Sequence, residues 1–116
     1  LYIEDIPANV ELVRMILNKR PLIELISAAN AVDGIKIARS LIPDLIIMDI
    51  HLPGMDGLTA FQKLQGMHET KNIPVIALTA DAMDADIKKA LKMGFHSYVT
   101  KPIDVRLFIK NIDGFM

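Results

Sequence analysis

Apolar and polar positions follow two rhythms along the chain. Short apolar runs occur at residues 1–3, 22–27, 45–48, 75–78 and 97–99. They are bounded by Pro, Asp or Gly, as strands buried on both faces are. Between them the apolar residues fall at helical spacing. Val10, Val13, Ile16 and Leu17 form one stripe, and Ala31, Ile35, Ala38 and Leu41 a second. Leu58, Phe61 and Leu64 form the third. Met83, Ile87, Ala90 and Leu91 form the fourth, and Val105, Phe108, Ile109 and Ile112 the fifth.

Punctuation residues agree with this division. Pro7 falls where a first helical turn tolerates proline. Gly66 and Gly94 fall near the ends of the third and fourth helices, where a left-handed cap is common. Asp81 and Asp104 stand at helix starts, where a carboxylate can cap. Five strand–helix repeats imply an α/β fold with a parallel sheet covered on both faces. The natural solution is a doubly wound sheet of order 2-1-3-4-5. Its ligand site lies beyond the carboxyl ends of the strands, between strands 1 and 3.

The chemistry collects at that edge. Strand 1 ends in Glu4-Asp5, strand 3 in Asp49, strand 4 in Thr79 and strand 5 in Lys101-Pro102. Taken singly, each has a plainer reading as a turn, a cap or a solvated loop residue. Asp49 follows four apolar residues, and burying an unpaired carboxylate is costly. Together the five residues put three carboxylates, a hydroxyl and an ammonium in one crevice. At about 5 Å and an effective dielectric of 20, a carboxylate pair repels by roughly 3 kcal/mol. Either a pKa rises or a cation binds. An all-oxygen set with an open side selects a hard ion, Mg²⁺ or Mn²⁺. Thr79 and Lys101 suit phosphoryl oxygens, and Asp49 suits the nucleophile of an aspartyl-phosphate.

Composition narrows the alternatives. The 116 residues are 52% hydrophobic and 23% charged, with 13 basic against 14 acidic side chains. The length fits one domain, residues 1–116, with a core large enough to need no staple. Absent cysteine excludes disulfide and thiol chemistry. The near balance of charge argues against direct nucleic-acid binding. No run reaches the 18–20 apolar residues, roughly, of a membrane span, and no signal peptide is visible. Membrane contact is not expected, and a cytoplasmic location is. The chain opens with Leu1 inside a strand-like run, so a longer parent protein is expected.

These residues resemble the response-regulator receiver domains of two-component signalling, which have the CheY-like fold. The resemblance rests on Tyr2-Ile3-Glu4-Asp5, on Asp49-Ile50-His51-Leu52-Pro53-Gly54-Met55-Asp56-Gly57, on Ala77-Leu78-Thr79-Ala80 and on Tyr98-Val99-Thr100-Lys101-Pro102. It implies that Asp49 is the phosphoacceptor. Asp5, Asp49 and the His51 backbone carbonyl would bind the metal, with Glu4 helping through water. Thr79, Lys101 and the Ala80 N–H would hold the phosphoryl group. The Lys101-Pro102 bond is expected to be cis, and Gly54 and Gly57 to serve a positive-φ turn. Thr79 and Tyr98 would switch the helix 4–strand 5–helix 5 surface after phosphorylation.

The resemblance also implies a signalling phosphoacceptor, not an enzyme. Its partner would be a histidine kinase or a histidine phosphotransfer domain, with homodimerisation left open. The stretches 4–9 and 80–83 look most like receivers of hybrid histidine kinases. His51 and Asp81 fall at variable positions that modulate phosphoryl lifetime, whereas His68 and His96 read as surface residues. Seven scattered Met read as core filler.

Rival readings fare less well. A haloacid-dehalogenase-type phosphatase needs a second Asp where His51 stands. A flavodoxin needs a phosphate loop where Glu4-Asp5-Ile6-Pro7 would repel phosphate. A P-loop lysine motif is absent. A receiver-like module that is never phosphorylated has no need of the full set of five residues.

Overall fold

The computed structural model describes residues 1–80 and 84–114, excluding the side chains at 79 and 84–86. Strands and helices alternate as β1 (Tyr2–Ile3), α1 (Pro7–Leu17), β2 (Ser27–Ala28), α2 (Ala31–Leu41), β3 (Ile46–Asp49), α3 (Gly57–Gln65), β4 (Val75–Thr79), α4 (Asp84–Met93), β5 (Ser97–Thr100) and α5 (Val105–Asp113). The five strands form one sheet of order β2-β1-β3-β4-β5, and every pairing is parallel.

Helices cover both faces because alternate strand residues point to opposite sides. On one face Val13 and Leu17 of α1 join Phe108 and Ile112 of α5 around Tyr2, Ile47, Leu78 and Val99. On the other, small residues of α2 and the Phe61 and Leu64 side chains of α3 close over Ile3, Ile46, Met48 and Ala77. Phe61 also stacks on Phe95, with ring centroids 4.0 Å apart. β3, central and wholly buried, carries the continuous apolar run that such a strand needs.

Register sets the site. Ile3 pairs with Met48, so Glu4 and Asp49 come level just past the sheet. Asp49 in turn lies opposite Leu78.

Local punctuation behaves partly as expected. Pro7 opens α1, and Asp104 caps α5 by accepting from the Leu107 N–H at 3.2 Å. Gly94 has φ +118° and the Lys101-Pro102 bond is cis. Gly66 does not form the expected left-handed cap. Its φ is −83°, and its N–H closes the last turn onto Gln62 and Lys63. The left-handed residue at a helix end is instead Ile42, with φ 47°.

Other boundaries shift. The second strand does not span 22–27 but only Ser27–Ala28. Leu22 is 97% exposed, and the ladder begins where Tyr2 N–H reaches the Ile26 carbonyl. An edge strand paired on one side needs only that much. Leu41, Leu91 and Val105, assigned to buried stripes, are exposed because each sits at the rim of its stripe. Asp81 and Met83 lie outside the described residues.

Candidate functional site

Three strand ends and two loops build the crevice. Asp49 closes β3 with only 2% of its surface exposed, and Glu4 follows β1 with 1%. Asp5 is more open to solvent. One carboxylate oxygen from each of Glu4, Asp5 and Asp49 lies within 4.8 Å of the others. Lys101, just past β5, inserts its ammonium between the two buried acids. Its Nζ donates to Asp49 Oδ2 at 2.6 Å and to Glu4 Oε1 at 3.1 Å.

Backbone and amide groups fix the carboxylates. His51 N–H donates to Asp49 Oδ1 at 2.9 Å. Asn9 Nδ2, in the first turn of α1, donates to Glu4 Oε1. This placement leaves the Asp49 carboxylate held from two sides by donors.

Gly57 follows from the same crowding. A Cβ there would lie 2.5 Å from the Asp49 carbonyl oxygen and 2.7 Å from Ile50 Cα. Gly57 therefore serves close backbone approach, not the positive φ expected of it. That conformation belongs to Gly54, at φ 74°. Asp56 caps α3 through the Thr59 N–H at 2.8 Å, which holds its carboxyl below the usual range.

Protonation follows the geometry. Burial raises the Glu4 carboxyl to about 7, assisted by Asp49 and opposed by Asn9 and Lys101. Burial also acts to raise Asp49. The hydrogen bonds from Glu4, Lys101 and the His51 N–H outweigh it and hold Asp49 below the usual carboxylate value. Lys101 is raised, because its two carboxylate partners outweigh burial. Near neutrality the Glu4–Asp49 pair thus holds part of a proton beside one ammonium. A hard cation is an alternative way to neutralise the cluster, and the donor set is the oxygen-only kind that fits one.

The structure therefore joins Glu4, Asp5, Asp49 and Lys101, as expected from sequence. The His51 backbone adjoins Asp49, and its side chain is exposed. Thr79 ends β4 opposite Thr100, but its side chain lies outside what is described. Tyr98 is half-buried and packs against the cluster containing Phe61, Ala77 and Phe95. His68 and His96 are exposed. Two features escape the sequence reading. Asn9 supports Glu4, for which the only signal is an amide in the first turn after an acidic strand end. Tyr2 is fully buried in β1, and its hydroxyl has no hydrogen-bond partner among the described residues. Burial and then the charges of Glu4, Asp49 and Asp5 push that phenol above its usual range.

A cavity of about 480 Å³ lies among Leu17, Leu22, Leu25, Leu41, Ile42 and Leu45. None of the four ionisable residues of the crevice lines it.

Comparison with known proteins supplies the frame. The response regulator receiver domain family matches residues 1–113. The polar-differentiation response regulator DivK of Brucella anthropi is 36% identical over 116 residues, covering 100% of this chain and 94% of the relative. The receiver domain of the Pseudomonas aeruginosa sensor histidine kinase PA1611, with a magnesium ion in its active-site cleft, is 25% identical. It has TM-score 0.87, and the match covers 98% of this chain and 93% of that one. The Saccharomyces cerevisiae Ssk1 receiver, co-crystallised with the histidine phosphotransfer protein Ypd1, gives 26% identity and TM-score 0.89. Coverage is 98% of this chain and 85% of that one. Among the described residues no helix is long and apolar enough to cross a membrane.

Proposed function

Because the chain belongs to the response regulator receiver domain family, we propose that Asp49 accepts a phosphoryl group from a phosphohistidine. The donor would be a histidine kinase or a histidine phosphotransfer domain. A carboxylate oxygen of Asp49 bonds to phosphorus as the N–P bond breaks, and the histidine nitrogen leaves with the bonding pair and takes a proton. The observation that carries this reading is the buried Asp49 carboxylate, with Lys101 Nζ at 2.6 Å and two further carboxylates beside it. Asp49 is held ionised, as a nucleophile must be.

Lys101 would then pass from its carboxylate partners to a phosphoryl oxygen, keeping the charge-assisted bond. Thr79 would donate to the same group. Glu4, Asp5, Asp49 and the His51 carbonyl would hold Mg²⁺ or Mn²⁺. Such an ion neutralises charge on the phosphoryl oxygens when bound.

The new charge, about −1.5 to −2, would draw Thr79 and let Tyr98 turn inward, changing the α4–β5–α5 surface. We read residues 1–116 as one receiver unit.

The direct test is incubation with acetyl phosphate and Mg²⁺, read by intact mass. The expected result is a gain of one phosphoryl group that is absent in Asp49→Ala. No gain, or an equal gain in the variant, rejects the assignment in favour of an unphosphorylated interaction module. For the switch, Tyr98→Ala is expected to abolish the phosphorylation dependence of partner binding. Unchanged dependence rejects the role of Tyr98.

A further inference from the structure

The two buried acids of the crevice are held differently. Asp49 has the His51 N–H on Oδ1 and Lys101 Nζ at 2.6 Å on Oδ2. Glu4, whose side chain is wholly buried, receives the longer contacts of the same ammonium, 3.1 Å to Oε1 and 3.4 Å to Oε2. A buried carboxylate is costly without a closer donor. Among the described residues that donor is Asn9, whose Nδ2 donates to Glu4 Oε1. An ionised carboxylate only accepts, so the amide turns its nitrogen to it.

Local chain geometry fixes this amide. Asn9 stands in the first turn of α1, two residues after Pro7, whose ring sets φ at the helix start. Its own N–H closes onto the Ile6 carbonyl at 3.0 Å. The half-buried side chain thus reaches back to the end of β1 from a rigid helix terminus. Both closer donors fall on Glu4 Oε1, which leaves Oε2 with the 3.4 Å contact alone. Lys101 is shared between the two acids, and in the reaction proposed above it leaves them for a phosphoryl oxygen. The Asn9 amide serves Glu4 throughout.

We propose that Asn9 is a positioning residue of the cation site, where its neutral amide anchors Glu4 Oε1 and so keeps Oε2 available to a divalent ion or to water bound to that ion. This role rests on the metal role of Glu4 proposed above. An amide supplies a donor without a charge, so it orients the carboxylate without repelling the ion as a second ammonium would. Removing an outer partner of this kind commonly changes metal affinity by roughly 10–100-fold. The rival reading makes Asn9 a plain staple between the end of β1 and α1.

The test is Mn²⁺ binding to the whole chain, followed by loss of the free-ion EPR signal, which needs no phosphoryl donor. Asn9→Ala should weaken binding about tenfold. Alanine is the better helix former, so α1 is retained, and backbone amide spectra check this. In a Glu4→Ala background the same substitution should weaken binding by no more than about twofold, because the carboxylate it acts through is gone. Glu4→Gln supplies a second background if Glu4→Ala does not fold. A plain staple would lower the urea midpoint of Asn9→Ala and leave its Mn²⁺ affinity within about twofold of the native chain, and that result overturns the proposal. An equal loss of affinity with and without Glu4 also overturns it. Native Mn²⁺ binding that Asn9→Ala leaves unaltered removes the role of Asn9 and leaves the metal and phosphoacceptor readings standing. A native chain that binds no Mn²⁺ overturns the metal reading of the cluster and the role of Asn9 with it.

Discussion

Lys101 Nζ donates to Asp49 Oδ2 at 2.6 Å across 52 positions of sequence, and together with the hydrogen bonds from Glu4 and the His51 N–H it holds the Asp49 carboxyl below its usual range. Lys101→Met removes that cation while keeping most of the side-chain volume. The Asp49 carboxyl is then expected to titrate higher than in the native chain, because one of the donors that hold it low is gone. Carboxyl-carbon NMR across pH measures this directly. An unchanged Asp49 titration would show that the His51 N–H and Glu4 suffice without the lysine.

The raised Glu4 carboxyl makes stability depend on pH in a defined direction. It is faced by Asp49, Lys101, Asn9 and Asp5. Between about 4.5 and about 7 the folded chain holds a proton that the unfolded chain has released. Glu4's favourable contribution is complete below that window and is lost as pH rises through it, on the order of 1–3 kcal/mol. Asp49, held low, gives the opposite slope only at more acidic pH. Urea unfolding at pH 5.5 and 7.5 measures the loss, and Glu4→Gln should flatten the difference. A native chain equally stable at both values contradicts the assignment.

The edge that carries the acids is readable in the sequence for a physical reason. Strict strand–helix alternation sends every strand the same way, so polar run-ends such as Glu4, Asp49 and Lys101 collect together. Asp49 stands out further because four apolar residues precede it. The remainder depends on distances that no local pattern encodes. The Asn9 amide reaches Glu4 only once α1 leaves β1 at its particular angle. Gly57 is constrained by the Asp49 carbonyl, which the intervening loop brings back to it. The length of β2 depends on pairing with β1, not on its own apolar run. Ile42 offers no glycine or asparagine signal for the left-handed turn it makes.

The Gly57 contact can be tested by its rigidity. Both atoms that a Cβ would strike, the Asp49 carbonyl oxygen and Ile50 Cα, belong to the backbone. Gly57→Ala should destabilise the fold by about 1–3 kcal/mol and shift the Asp49 amide resonance. Gly54→Ala meets open space and bears only the cost of its φ of +74°, so it should leave Asp49 in place. Equal displacement of Asp49 in both variants would remove the distinction.

Tyr2 carries the opposite expectation. Its hydroxyl is buried without a partner among the described residues, beneath the acidic cluster. A buried unsatisfied group costs about 1–3 kcal/mol. Tyr2→Phe keeps the ring packed against α1 and α5 and deletes only that oxygen. The variant should gain about 1 kcal/mol in urea unfolding at constant m-value. A loss of stability would mean that the hydroxyl has a water partner worth keeping.

Ile42 stores strain away from the site. It caps α2 at φ 47° and ψ 67°, a conformation that brings a β-branched side chain against its own backbone. Its N–H still closes the helix onto Ala38 at 3.0 Å, so the turn itself serves the fold. About half of the side chain is exposed, so replacing it forfeits little burial. Asparagine tolerates the left-handed region and keeps the N–H. Ile42→Asn should therefore stabilise the chain by about 1 kcal/mol, read as a higher urea midpoint. Ile42→Val keeps the branch and should not reproduce the gain. Equal stabilisation by both would assign the effect to lost apolar exposure instead of relieved strain.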